Sequence, residues 1–233
     1  MIPLQYLSSI FCRMTREWIG VLDWEPHLDR LFNFFIRCLS LPVAGFEGGE
    51  YDADTHSRLT GYTELIVLTV TSKSSTLDRL SLVFSALGHF YHPSNSHDVA
   101  ALLNFVLASL AFNFFERLRD ERYRRPLIGF GQTPAEARIS DRDITRFVEI
   151  LLPVCLKALF QDGNTDNVTN ALFYLSLMRP SLIVPPLLEC FESACDSLIE
   201  PHRLTACLSV LSRVSLPMLQ SPDLQLHPEG RLQ

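Results

Sequence analysis

Three histidines, His89, His92 and His97, fall within nine residues and form the first group whose type and spacing could do chemistry. Three imidazoles can hold a zinc ion and leave a fourth position open for water. Here, however, His92 stands directly before Pro93 in a run of Ser and Asn, and Asp98 is the one carboxylate nearby. The trio reads as a helix-to-helix turn presenting imidazoles rather than as a metal site. Asp23, Glu25 and His27 cluster around Trp24 and could be drawn as an acid–base set. Their place beside Pro26 points instead to a helix start, where negative charge interacts favourably with the helix dipole. Gly129-Phe130-Gly131 lacks the lysine and hydroxyl residue of a phosphate-binding loop, and no GxSxG elbow occurs.

The six cysteines, Cys12, Cys38, Cys155, Cys190, Cys195 and Cys207, make no CxxC pair and sit in segments with helical patterning. They fit a reduced, intracellular protein better than a disulfide framework. Cys195 falls on the apolar stripe of its segment and is expected to behave as a small buried hydrophobe. The remaining candidate is a run of cations, Arg117, Arg119, Arg122, Arg124 and Arg125, which could hold an anion. Glu116, Asp120 and Glu121 are interleaved with them, and cations at a helix C-terminus offset the macrodipole, so a structural role is the stronger reading. The sequence therefore predicts no catalytic, cofactor-binding or metal-binding residue, and a protein that is not an enzyme.

Those side chains must be positioned by helices. Apolar residues recur at helical spacing almost throughout, and the β-branched run from Leu65 to Thr71 is the main exception. Ile144, Phe147, Val148, Leu151, Cys155, Ala158 and Leu159 make one apolar face, with Arg142, Arg146, Glu149 and Lys157 opposite. Ser140 with Asp143 gives this helix a start signal, and Gly163 follows its end. The next helix is expected to stop before Arg179-Pro180, another to begin at Pro185-Pro186, and another to open at Glu200-Pro201.

Upstream, helices are expected over Leu4 to Trp18, from Pro26 to Leu41, and over Leu59 to Thr71, Thr76 to Phe90 and Val99 to Arg122. A loop over 42–58, a linker over 126–139 and a disordered end over 221–233 complete the reading. Helices of about twenty residues, paired over about forty, give the period of HEAT-type repeats. The fold class is all-α, an α-solenoid of HEAT-like antiparallel helix pairs in a single segment over 1–233, with a compact bundle as the competitor.

Composition bounds the partners. Hydrophobic residues make up 47% of the 233, enough to bury a core, and the net charge of −6 argues against general nucleic-acid binding. The stretch Val99 to Phe115 carries only Asn104, Ser109 and Asn113 as polar residues. It falls short of the roughly 20 residues that span a bilayer and reads as a helix buried between neighbours. The first residues lack a basic export signal, so the sequon Asn167-Val168-Thr169 carries no weight.

Several segments read together resemble one family. They are Trp24-Glu25-Pro26, Leu39-Ser40-Leu41-Pro42-Val43, Phe90-Tyr91-His92-Pro93-Ser94-Asn95 and Phe147-Val148. Further along come Met178-Arg179-Pro180, Ile183-Val184-Pro185-Pro186-Leu187-Leu188-Glu189 and Glu200-Pro201-His202-Arg203-Leu204-Thr205-Ala206. In order and spacing, from about Trp18 to Gly230, they resemble the large HEAT-repeat proteasome activators, which include bleomycin-sensitivity protein ten. The resemblance covers a small middle part of that family's polypeptide.

It implies a solenoid that caps the core (20S) proteasome and promotes peptide and protein degradation without ATP or ubiquitin. It also implies residence in nucleus and cytoplasm and a link to DNA repair. Acetylated histones would be bound through regions outside this chain, with no cofactor, no direct nucleic-acid contact and no membrane. The chain departs from the family after Asn95, where His97, Asp98 and Val99 replace a glycine, a basic residue and tryptophan. It closes on Arg231-Leu232-Gln233 rather than the family's docking tail with a penultimate tyrosine, so a partial product is expected. The alternative is a generic α-solenoid adaptor.

Overall fold

The computed structural model describes residues 4–41, 53–91, 97–123, 133–160, 165–196 and 201–220. Among these, nine α-helices and three short 3₁₀ turns are found, and no strand. The helices are α1 (Leu4–Glu17), α2 (Leu28–Cys38), α3 (Ala53–Leu68), α4 (Thr76–Leu87) and α5 (His97–Tyr123), followed by α6 (Asp141–Leu159), α7 (Asp166–Met178), α8 (Pro180–Asp196) and α9 (Pro201–Gln220).

Each helix has one apolar stripe that it cannot bury alone. Odd-numbered helices pack in series, α1 on α3, α3 on α5, α5 on α7 and α7 on α9, and form one layer. In the second layer α4 packs on α6 and α6 on α8, while α2 leans on α3. Between the layers α7 rests against both α6 and α8, and α8 against α9. The all-α solenoid of antiparallel pairs is the architecture that the periodicity predicts.

The centre of the stack is α5. Leu102, Leu103, Val106, Leu107, Leu110, Ala111 and Phe114 are buried along it. By length and composition Asp98–Tyr123 could cross a membrane, but α3 and α7 cover it from either side. Two of its polar residues bond across to α3, while the buried Asn104 Oδ1 has no hydrogen-bond partner. Ser109 Oγ lies 2.6 Å from Thr63 Oγ1 of α3, and Asn113 Nδ2 donates to the same Thr63 oxygen at 3.3 Å. Phe114 stacks on Phe147 of α6 with ring centroids 3.9 Å apart, and Tyr174 of α7 sits edge-on to Phe112 at 5.3 Å. Such aromatic pairs add about 0.5–1.5 kcal/mol each beyond the area they bury.

Local chemistry explains the boundaries. Ser140 Oγ accepts from Asp143 N–H while the Asp143 carboxylate accepts from Ser140 N–H, the reciprocal cap that the sequence predicts for α6. Arg179 ends α7 with a non-helical backbone, φ −146° and ψ 75°, in keeping with the proline that follows.

Three expectations need correction. The helix expected from Leu59 begins at Ala53, so 53–58 is helix rather than loop. Thr55 is buried there and Arg58 pairs with Asp54 one turn back, while 42–52 lie outside the described residues. Within the expected linker, Ala135–Ala137 forms a 3₁₀ turn with Ala137 and Ile139 in the core. Lastly, α8 starts at Pro180, not Pro185. Proline at the first position costs no hydrogen bond, and the longer helix brings Ile183 into the core, so Pro185 and Pro186 are carried inside it. Its stripe is Ile183, Leu187 and Ala194, which leaves Cys195 exposed rather than buried. Gly163 and 221–233 lie outside the described residues.

One glycine is required by geometry. Gly20, after α1, has φ +80°, and a Cβ there would come within 2.3 Å of the Ala137 Cβ. That contact lets the turn close onto the 3₁₀ segment.

Candidate functional site

The best-built polar site lies at the C-terminal end of α5. Arg117 is 5% exposed, and its Nε donates to Glu121 Oε1 at 2.9 Å one helical turn on. Its Nη1 donates to the Val67 carbonyl near the end of α3, and its Nη2 to the Ala137 carbonyl at 3.0 Å. The second Glu121 oxygen accepts from Ile139 N–H at 2.9 Å. The guanidinium and carboxylate thus satisfy one another and two backbone segments that no helix ladder serves. Burial pushes the Arg117 pKa down, and Glu121 pushes it back up. A guanidinium stays charged under such opposing shifts. This arrangement binds helices together and engages each of the three guanidinium nitrogens within the protein.

The other described cations of the run, Arg119 and Arg122, are occupied too. Arg119 pairs with Glu116 at 2.5 Å, and Arg122 meets Asp141 at 3.2 Å, where Arg179 also arrives at 2.9 Å. Arg124 and Arg125 lie outside the described residues. Arg117, Arg119 and Arg122 are thus spread over three separate carboxylates.

Around Asp23, Glu25 and His27 neither the short 3₁₀ turn nor α2 receives the side-chain cap that the sequence predicts, and the carboxylates are engaged elsewhere. Asp23 Oδ1 accepts from Glu25 N–H at 3.0 Å. Glu25 reaches further than the sequence reveals: its carboxylate accepts from the Ser75 N–H at 3.0 Å and from the Ser75 hydroxyl, at the start of α4. Asp29 of α2 also pairs with Arg79 of α4. His27 sits edge-on to Trp24, with ring centroids 6.4 Å apart.

His89 is exposed beside Phe90, while His92 and the side chain of His97 lie outside the described residues. Among the described residues no group of three or more His, Cys, Asp or Glu could hold a metal ion. Among the described residues, two recesses open on the surface. One, of about 290 Å³, lies between the Gly20–Trp24 turn, Lys73 and Glu136. The Trp24 Nε1 on its wall is buried without a partner. The other, along Asp141, Arg142, Arg146, Glu149 and Arg179, is spanned by ion pairs, Arg146 to Asp78 and Arg179 to Asp141. The interhelical partners of Arg117, Glu25 and Thr63 were missed by sequence reasoning, because each lies at least 18 residues away along the chain.

A two-layer stack of helix pairs, with the buried Arg117, Glu121 and Thr63 tying helices and turns together, defines an α-solenoid of HEAT-like repeats. The family model described as "Proteasome activator complex subunit 4, mid HEAT repeats region" matches residues 80–227. Over 96% of its length the chain is 31% identical to proteasome activator complex subunit 4 of Homo sapiens, and over 97% it is 32% identical to that of Xenopus laevis. Proteasome activator subunit 4 of Arabidopsis thaliana is 23% identical over 92% of the chain. The chain belongs to the proteasome activator complex subunit 4 family, and it spans 12% of the length of these relatives.

Proposed function

We propose that the chain is a scaffold segment of a proteasome activator that caps the core (20S) proteasome and promotes degradation of peptides and proteins without ATP or ubiquitin. The observation that carries this reading is the alignment of the HEAT-type segment, over nearly all of its length, with relatives named proteasome activators. The physical reading agrees with a non-catalytic role. The charged groups that could have done chemistry, Arg117, Glu121, Asp23 and Glu25, are engaged in holding helices to one another. The segment's part is rigidity: it fixes the path of the solenoid. The protein is proposed to work in nucleus and cytoplasm and to take part in DNA repair, with acetylated histones bound by regions outside this chain.

The test uses the full-length gene product with purified core proteasome. Co-purification and a several-fold rise in hydrolysis of short fluorogenic peptides without ATP are expected. Neither association nor stimulation would sink this reading in favour of a generic helical adaptor.

A further inference from the structure

We propose that Cys190 and Cys207 form a thiol–disulfide modification site that locks α8 to α9 when the protein meets a hydroperoxide. The inference stands apart from proteasome capping and rests on the register of one helical hairpin. Cys190 lies six residues before the end of α8 at Asp196, and Cys207 six residues after the start of α9 at Pro201. In an antiparallel pair this symmetry sets the two at the same level.

Facing follows from the stripes. Cys190 falls between Leu187 and Ala194, at the three- and four-residue spacing that carries the buried face of α8. Cys207 heads the buried face of α9 with Val210 and Val214. Ala194 and Cys207 are buried and Ala206 partly so, small side chains that let helix axes approach. The two thiols also interact electrostatically: burial pushes the Cys207 pKa up, and Cys190 adds to the rise. Burial pushes the Cys190 pKa up as well, and Arg203 opposes that rise.

Access divides the roles. Cys190 is partly exposed and Cys207 buried, so Cys190 is attacked first and Cys207 resolves. The Cys190 sulfur takes one oxygen from the hydroperoxide as its O–O bond breaks, giving a sulfenic acid and releasing water or an alcohol. The Cys207 sulfur then attacks the sulfenic sulfur, the S–S bond forms, and the hydroxyl leaves with the Cys207 proton as water. Two thiols are oxidised, one peroxide is reduced, and a dithiol reverses the change. Cys12 and Cys155, whose pKa values burial raises to about 12, provide controls that stay reduced.

The test treats the native full-length protein with hydrogen peroxide, alkylates free thiols and maps the unreduced digest by mass spectrometry. The expected product is a linked peptide pair containing Cys190 and Cys207, lost on dithiothreitol treatment. Amides of α8 and α9 should exchange roughly tenfold more slowly in the oxidised protein. In Cys207→Ala, with Cys207→Ser as a second variant, the link disappears and dimedone traps a sulfenic acid at Cys190. Recovery of Cys190 and Cys207 as free thiols, at a peroxide level that oxidises the exposed Cys195, overturns the proposal. So does a link from either of them to Cys195.

Discussion

At the scale of single residues, the most consequential charge in the chain is Arg117, because its environment leaves little slack. Its side chain is 3% exposed and that of Glu121 6%. A buried pair of this kind adds little over an apolar pair of the same shape, yet removing one partner strands the other without water. Arg117→Ala should therefore cost about 3–5 kcal/mol locally. Hydrogen exchange in the full-length protein should then accelerate by two orders of magnitude or more around Val67 and Ile139. Replacing both residues, Arg117→Met with Glu121→Met, should restore much of the protection; equal loss in the single and double variants would mean that the pair is not the source. Little of this was legible in sequence. The interleaved acids Glu121 and Glu116 pair with Arg117 and Arg119. The carbonyls of Val67 and Ala137, 50 and 20 residues distant, leave no mark on the local pattern.

Helices are read from sequence as far as their ends are written in side chains. The start of α6 was legible because Ser140 and Asp143 cap each other within four residues. Ser140→Ala removes one half of that box and should destabilise the first turn by about 1 kcal/mol. Roughly fivefold faster exchange of the amides after Asp141, with those of α7 unchanged, is the expected readout. Where a start is written elsewhere in the chain, reading fails. The first turn of α4 receives its acceptor from Glu25 of the preceding helix pair, 50 residues away. At α8, the paired prolines looked like a beginning although the helix was already five residues old. Proline forbids a donor rather than a helical φ, and burial of Ile183 outweighs the two lost hydrogen bonds.

For the molecule as a whole, the repeat period made the solenoid legible, since a stripe on every helix requires neighbours on both sides. The proposed proteasome partner rests on likeness to known sequences and not on any group of residues singled out in this segment. Packing also determines which parts of the chain depend on covalent continuity. Two of the strands of evidence for cohesion cross the interval between Tyr123 and Thr133: the Arg117 and Glu121 ties to Ala137 and Ile139, and the stack of Phe114 on Phe147. Neither uses the peptide bonds in between. Cutting the backbone there, for instance at an inserted protease site, should leave two pieces that co-elute on size exclusion and separate only in denaturant. In the Arg117→Ala background the same cut should release them. The segment would then behave as a heterodimer made from one gene, and a position after Tyr123 becomes a place where new termini could be opened or a reporter domain inserted without dismantling the stack.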